Sequence, residues 1–301
     1  QGKLLLDQPI SDFIPEFKNP VVLDKFNEAD TTYTTVPAKG EITFRHLLTH
    51  TSGLDYTDIG SSKVQAIYTK NHIPSGLGYF DENLLERMKA LGKLPLTFDP
   101  GKKWQYGLNS DLLGCLIEVI SGMNLEDFLR KNIFDPLGMK DTYFNVPASK
   151  ADRLATVYTE DSLQQIIKWS HEFRRIDPDY PTMKKRYFSG GAGLSSTAFD
   201  YAVFMQMLLN GGRYNGHQVL SKRTVEMMIS GQLAPGLSGA SAHTCECTEV
   251  RHRLRAAGDT VAAAGVHGIP EPVEGCGRGA DRQRRLAGGD HRLGCAARHA
   301  A

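Results

Sequence analysis

The stretch WQYGLNSDLLGCLIEVISG, residues 104 to 122, places a tyrosine between a Pro-Gly turn and an apolar helix. A phenol there has two uses. It can bury its ring and rest its hydroxyl on a carbonyl, as an isolated tyrosine after a turn usually does. Or it can carry a proton, which at neutral pH needs nearby cations, because an unperturbed phenol titrates near about 10. On residue type alone, Tyr106 reads as the first. His50 and Ser52 in THTSGL suggest a catalytic pair, yet they fall at a helix C-terminus, where a histidine suits the dipole and small polar residues close the turn. SGGAGLSS, residues 189 to 196, resembles a phosphate loop but lacks the Gly-Lys-Ser/Thr ending, so it reads as a tight turn leading to a Thr197 cap. HTCEC with His252 nearby hints at zinc, but Cys-x-Cys is not the usual ligand spacing, and neither a metal nor another cofactor is expected.

Several helices must position these groups. ITFRHLLTHTSGL offers Thr43 as N-cap, apolar Phe44, Leu47 and Leu48, and Gly53 as the stop. NSDLLGCLIEVISG offers Asn109 or Ser110 as cap, an apolar face through Leu112, Leu113, Leu116, Ile117 and Ile120, and Gly122 as terminator. NLEDFLRKNIF has Asn124 as cap, with Glu126 and Asp127 in the favourable first turn. STAFDYAVFMQMLLNGG pairs Thr197 with Asp200 in a near capping box, and SKRTVEMMIS is a shorter amphipathic helix. Strand candidates are few: RLATVYT and LQQIIKWS. Long loops are expected between residues 15 and 40, 55 and 80, and 170 and 192; loops of that length in a compact domain are usually functional.

The chain has 301 residues, enough for a sizeable core, and a net charge of +1, so no long-range field draws it to nucleic acid or a membrane. No apolar run approaches the roughly 20 residues of a membrane span. Of five cysteines only Cys115 belongs to the body, so no disulfide framework is implied. Beyond about Leu233 the composition changes: no aromatic follows Tyr214, no lysine follows Lys222, and Arg, Ala and Gly dominate. Residues 234–301 are therefore expected to be disordered or translated out of frame, and the RQRR run at 282 to 285 to be a solvated piece of that tail.

Four segments in order carry a family resemblance: GKLLLDQPISDFIPEF, ITFRHLLTHTSGL, PGKKWQYGLNSDLLGCLIEVISGMNLEDFLRKNIFDPLGM and GGAGLSSTAFDYAVFMQMLLNGG. Together, over residues 1–233, they resemble the β-lactamase-like serine hydrolases: class C β-lactamases, penicillin-binding peptidases and family VIII carboxylesterases. The resemblance implies an α+β β-lactamase/penicillin-binding-protein-like fold, here mostly the helical domain, with helices of the α/β domain at 196–230. It implies an acyl-serine intermediate formed from a small-molecule ester or amide, with a Ser-x-x-Lys nucleophile, Tyr106 as general base, and Leu108 and Asn109 as substrate-binding positions. YGLNSDLLG is nearer to the esterase branch, because a lactamase-type Tyr-x-Asn would place Asn at 108, where Leu stands. Many relatives are exported to the periplasm or secreted.

The departures are specific. No Ser-x-x-Lys occurs in the 301 residues, and no Lys-Thr-Gly or equivalent follows residue 233. The expectation is a fragment that lacks the nucleophile, its lysine and most of the antiparallel sheet, and that turns nothing over alone. The alternative is a non-catalytic binding or scaffolding protein of the same fold.

Overall fold

The computed structural model describes residues 2–78, 81–161, 163–170, 177–234 and 237. The expectations for 234–301, including HTCEC and RQRR, lie almost wholly outside them.

The first helix, α1 (Phe44–Leu48), starts as expected: the Thr43 side chain accepts from His46 N–H while His46 Nδ1 accepts from Thr43 N–H. It stops earlier than Gly53. Thr49 is the C-cap and His50 takes the left-handed turn at φ 54°, a region histidine tolerates better than most side chains. α2 (Ser62–Lys70), capped by Ser61, lies in the segment expected to be loop. Its buried residues Val64, Ile67 and Tyr68 have one-face spacing, but three apolar groups among polar neighbours leave a faint pattern. α3 (Leu84–Leu91) follows with Asn83 as its cap.

The 15–40 segment is also not a loop. It holds a hairpin of β1 (Val21–Phe26) and β2 (Tyr33–Pro37), with a bulge between Leu23 and Lys25. Every residue of β2 is exposed, so no apolar alternation advertised it. In the third expected loop, described residues 177–192 contain neither helix nor strand.

α4 (Asn109–Ser121) is the central element. Its Leu112, Cys115 and Leu116 join Leu47, Leu54, Ile67, Leu84, Met88 and others in the main core. Each fully buried leucine of this kind is worth about 2 kcal/mol. The helix packs on α1, on α3 and on α5 (Leu125–Leu129), and Gly122 ends it in the left-handed conformation. Neither expected cap operates: Leu108 occupies the N-cap position without a side-chain bond, because the Asn109 amide is engaged elsewhere.

α5, capped by Asn124, runs through a wide turn at Arg130–Phe134 into α6 (Asp135–Leu137). The two strand candidates pair as β3 (Tyr158–Glu160) and β4 (Ile166–Lys168). α7 (Ala198–Leu209) begins at Thr197, whose hydroxyl accepts from Asp200 N–H; β5 (Arg213–Tyr214), β6 (His217–Gln218) and α8 (Lys222–Met228) complete the described chain. A second core cluster joins Phe134, Leu137 and Met139 to Val203 and Met207 of α7. Among the described residues the strands form three separate two-stranded sheets.

Candidate active site

The site forms where the segment after α1 meets the segment before α4. Gln105 N–H donates to His50 C=O at 2.8 Å, and Leu108 N–H donates to Asp55 C=O at 3.3 Å. Gly107 lets them touch: a Cβ there would lie 2.3 Å from Leu54 O. Tyr106 is thereby set over the 50–56 loop. Its ring centroid is 5.2 Å from His50 and 5.1 Å from Tyr56, and Trp104 borders His50 at 6.1 Å. Tyr106 remains 47% exposed. It is not a core tyrosine.

The two positions beside it, Leu108 and Asn109, are both fully buried. Leu108 fills the main core. Asn109 brackets the loop, its Oδ1 accepting from Ser52 Oγ at 2.5 Å and its Nδ2 donating to His50 Nδ1 at 3.0 Å. Ser52 is equally buried and is engaged as a donor. Burial holds His50 below the usual imidazole range, favouring the neutral ring that accepts from Asn109.

Behind Tyr106 lies a group that the residue types did not single out. Asp111 is fully buried on α4, and burial pushes its carboxyl up to about 6, against the hydroxyls of Ser189 and Tyr187. Tyr187 Oη is 3.4 Å from Asp111 Oδ1, whereas Asp111 Oδ2 and Tyr180 Oη have no hydrogen-bond partner. Tyr56 is held well above the ordinary phenol range by burial, by the Asp111 charge and by the neighbouring Tyr106 phenol. Burial and Asp111 also raise Tyr180, to about 12, and Tyr187 further. In the sequence Asp111 looks like an ordinary first-turn acid favoured by the helix dipole, and nothing local distinguishes it.

The SGGAGLSS segment is a turn, as expected, but it also closes this cluster. Gly190 lies against α4, where a Cβ would be 2.2 Å from Ser110 O. A Cβ on Gly191 would sit 2.9 Å from Asp111 Oδ2 and 3.0 Å from Tyr56 Oη. Ser195 is tied to Tyr143 by a backbone pair at 2.8 and 2.9 Å. The Tyr180–Tyr187 stretch is pinned by buried Lys185, whose Nζ donates to the carbonyls of Tyr180 (2.5 Å), Met183 (3.0 Å) and Pro181 (3.3 Å). Burial pushes the Lys185 ammonium down to about 8.

Among the described residues, no three His, Cys, Asp or Glu side chains converge as metal ligands, and no helix is long and apolar enough to cross a membrane. Cys115 is buried, and burial pushes its thiol up to about 12, which makes it a poor nucleophile.

The beta-lactamase family profile matches residues 1–252. An uncharacterized Mycobacterium tuberculosis protein is 33% identical over 233 residues, covering 77% of this chain and 54% of its own length. Esterase EstB of Burkholderia gladioli is 30% identical over 210 residues, covering 66% and 49%. Among solved structures, EstCE1, described as a hydrolase with promiscuous acyltransferase activity, superposes with a TM-score of 0.62 at 26% identity, covering 81% of this chain and 60% of its own. The chain thus spans about half the length of the curated relatives it matches. With four ordered segments, the helical scaffold built on α4 and a profile match over most of its length, the chain belongs to the beta-lactamase family.

Proposed function

We propose that the chain is the tyrosine-bearing part of a serine hydrolase or acyltransferase that forms an acyl-serine intermediate from a small ester or amide. One observation carries the reading. Tyr106 is fixed by His50 and Tyr56 yet keeps nearly half its surface open, as a proton carrier must and a packing residue need not. In this reading the serine and lysine of a Ser-x-x-Lys come from outside these 301 residues, and the lysine ammonium supplies the positive charge that lets a phenol work near neutral pH. Asn109, Ser52 and Leu108 hold Tyr106 in place and do not touch substrate. An esterase or acyltransferase is favoured over a lactamase, in line with relatives described as an esterase and as a hydrolase with acyltransferase activity.

Intact-mass spectrometry after incubation with a fluorophosphonate tests this. The 301-residue chain takes no adduct; a longer protein that adds a Ser-x-x-Lys segment upstream and a C-terminal third motif takes one, on the serine of Ser-x-x-Lys. In that longer protein, Tyr106→Phe slows acylation by about 100-fold or more. An adduct on the 301-residue chain, or parent-like acylation by Tyr106→Phe, defeats the proposal. An upstream segment with no Ser-x-x-Lys favours the binding-protein alternative.

A further inference from the structure

His50 ends a hydrogen-bond chain that fixes where its own proton sits. The chain starts at Leu54, whose N–H donates to Ser52 Oγ at 3.1 Å. The Ser52 hydroxyl in turn donates to Asn109 Oδ1, and 2.5 Å is an O–H···O separation, too short for an amide N–H donor. That orients the Asn109 side chain: its Nδ2, which can only donate, faces His50 Nδ1 at 3.0 Å. His50 Nδ1 must therefore keep its lone pair, and the single ring proton is on Nε2. An imidazolium would set two N–H groups against each other, and burial of the ring works in the same direction. The Nε2–H has no partner among the described residues and is not enclosed. The backbone is committed as well. His50 is held at φ 54°, its N–H donating to Leu47 C=O at 3.2 Å and its C=O accepting from Gln105 N–H at 2.8 Å. The clamp that aims the imidazole also seats the Tyr106 turn, and the two rings stand 5.2 Å apart.

We propose that His50 is a substrate-binding residue: its neutral imidazole, locked as the Nε2–H tautomer, donates to the alcohol-side oxygen of the ester that Tyr106 protonates. This rests on the reading of Tyr106 as the proton carrier. The oxygen that takes a proton from Tyr106 lies within hydrogen-bond reach of that phenol, and the adjoining imidazole has one free N–H to offer it. As the acyl–oxygen bond breaks, its electron pair goes to the alcohol oxygen. The proton removed from the serine passes to that oxygen from Tyr106, and the Nε2–H bond strengthens as the charge develops. His50 keeps its own proton throughout, so it does not compete with Tyr106.

The lock is tested on the 301-residue chain by histidine nitrogen-15 NMR, with the His50 signals assigned by their loss in His50→Gln. One tautomer is expected, protonated at Nε2 and bare at Nδ1. Asn109→Asp, whose carboxylate accepts where the amide donated, moves the proton to Nδ1. Mixed tautomers or Nδ1–H in the parent, or an unchanged tautomer in Asn109→Asp, overturns the proposal; should Asn109→Asp fail to fold, the parent spectrum decides. The binding role is tested in the longer protein that carries Ser-x-x-Lys, through kcat/KM for alkyl and p-nitrophenyl esters of one acid. His50→Asn keeps an acceptor for Asn109 and tolerates the left-handed backbone but has no donor at the Nε2 position; His50→Gln keeps that donor and loses the acceptor. His50→Asn is expected to slow alkyl esters, whose leaving oxygen is basic, about 10-fold more than p-nitrophenyl esters, and His50→Gln to recover part of the difference. Equal slowing of both esters, or a larger difference in His50→Gln than in His50→Asn, is what a structural histidine gives and overturns the proposal. If Tyr106→Phe acylates like the parent, the reading of Tyr106 falls and takes the binding role with it, while the tautomer lock stands. If Tyr106→Phe is slow and His50→Asn treats both esters alike, only the present proposal falls.

Discussion

Ser52 Oγ donates to Asn109 Oδ1 at 2.5 Å with both residues fully buried. The bond joins residues 57 positions apart, and the same amide reaches His50 through Nδ2. One asparagine at the start of α4 therefore fixes both the loop that carries His50 and the turn that carries Tyr106. The short peptide bridges from Gln105 to His50 and from Leu108 to Asp55 complete the clamp.

Cutting that clamp has a calculable cost. Ser52→Ala strands Asn109 Oδ1 and removes the acceptor for Leu54 N–H, a loss of about 2–3 kcal/mol. Asn109→Ala strands both the Ser52 hydroxyl and His50 Nδ1 and opens a void at the helix start, so it costs more, about 3–4 kcal/mol. Urea unfolding of the three proteins measures both. Losses below about 0.5 kcal/mol, the level of ordinary surface changes, contradict the clamp.

The adjacent glycines 190 and 191 separate stability from site geometry. An alanine methyl at Gly190 meets the Ser110 backbone carbonyl at 2.2 Å, which cannot yield without moving α4. At Gly191 the obstacles are the ends of two side chains, Asp111 and Tyr56. Gly190→Ala is thus expected to destabilise by about 2 kcal/mol or more. Gly191→Ala costs less but displaces Tyr56, changing the environment of Tyr106. Unfolding midpoints and near-ultraviolet circular dichroism distinguish them, and equal destabilisation by the two argues against this division.

Lys185 offers a third handle. Its ammonium satisfies three carbonyls from Tyr180, Pro181 and Met183, in a stretch with no helix or strand of its own. Lys185→Met keeps the volume and leaves those carbonyls without their donor, at about 2–3 kcal/mol. Hydrogen exchange in 177–188 is expected to speed up before that of α4 does; unchanged exchange there contradicts the role.

Much of this was legible from the residues. The caps at Thr43, Asn124 and Thr197, the left-handed Gly122 and the apolar face of α4 follow from local chemistry, and the structure repeats them. The β1–β2 hairpin was not legible, because strands exposed to water lack the alternation that reveals strands on a core. Asn109 misled for a different reason. An asparagine at a helix start normally caps its own helix, and only long-range geometry shows that this one is committed to Ser52 and His50. Asp111 was illegible in the same way: its neighbours Tyr56 and Tyr187 are 55 and 76 positions away in the chain.

Asp111 makes the stability of the protein depend on pH in a predictable direction. Its carboxyl titrates at about 6 when folded, against 3.8 for an unburied aspartate. A group raised on folding contributes its full stability below the unfolded value and loses it as pH rises through the folded one. The difference amounts to about 3 kcal/mol at pH well above 6, developed mainly between about pH 4 and pH 7. Asparagine cannot ionise, so Asp111→Asn escapes this loss whatever fixed cost its amide adds. Relative to the parent, the variant is therefore expected to gain about 2 kcal/mol between about pH 4 and pH 8. His50 also titrates with a shift, but it is present in both proteins and drops out of the difference. Paired urea melts at the two ends of that range measure it. A difference between parent and variant that stays constant with pH means that Asp111 ionises at an ordinary value, and burial then fails as the force acting on it.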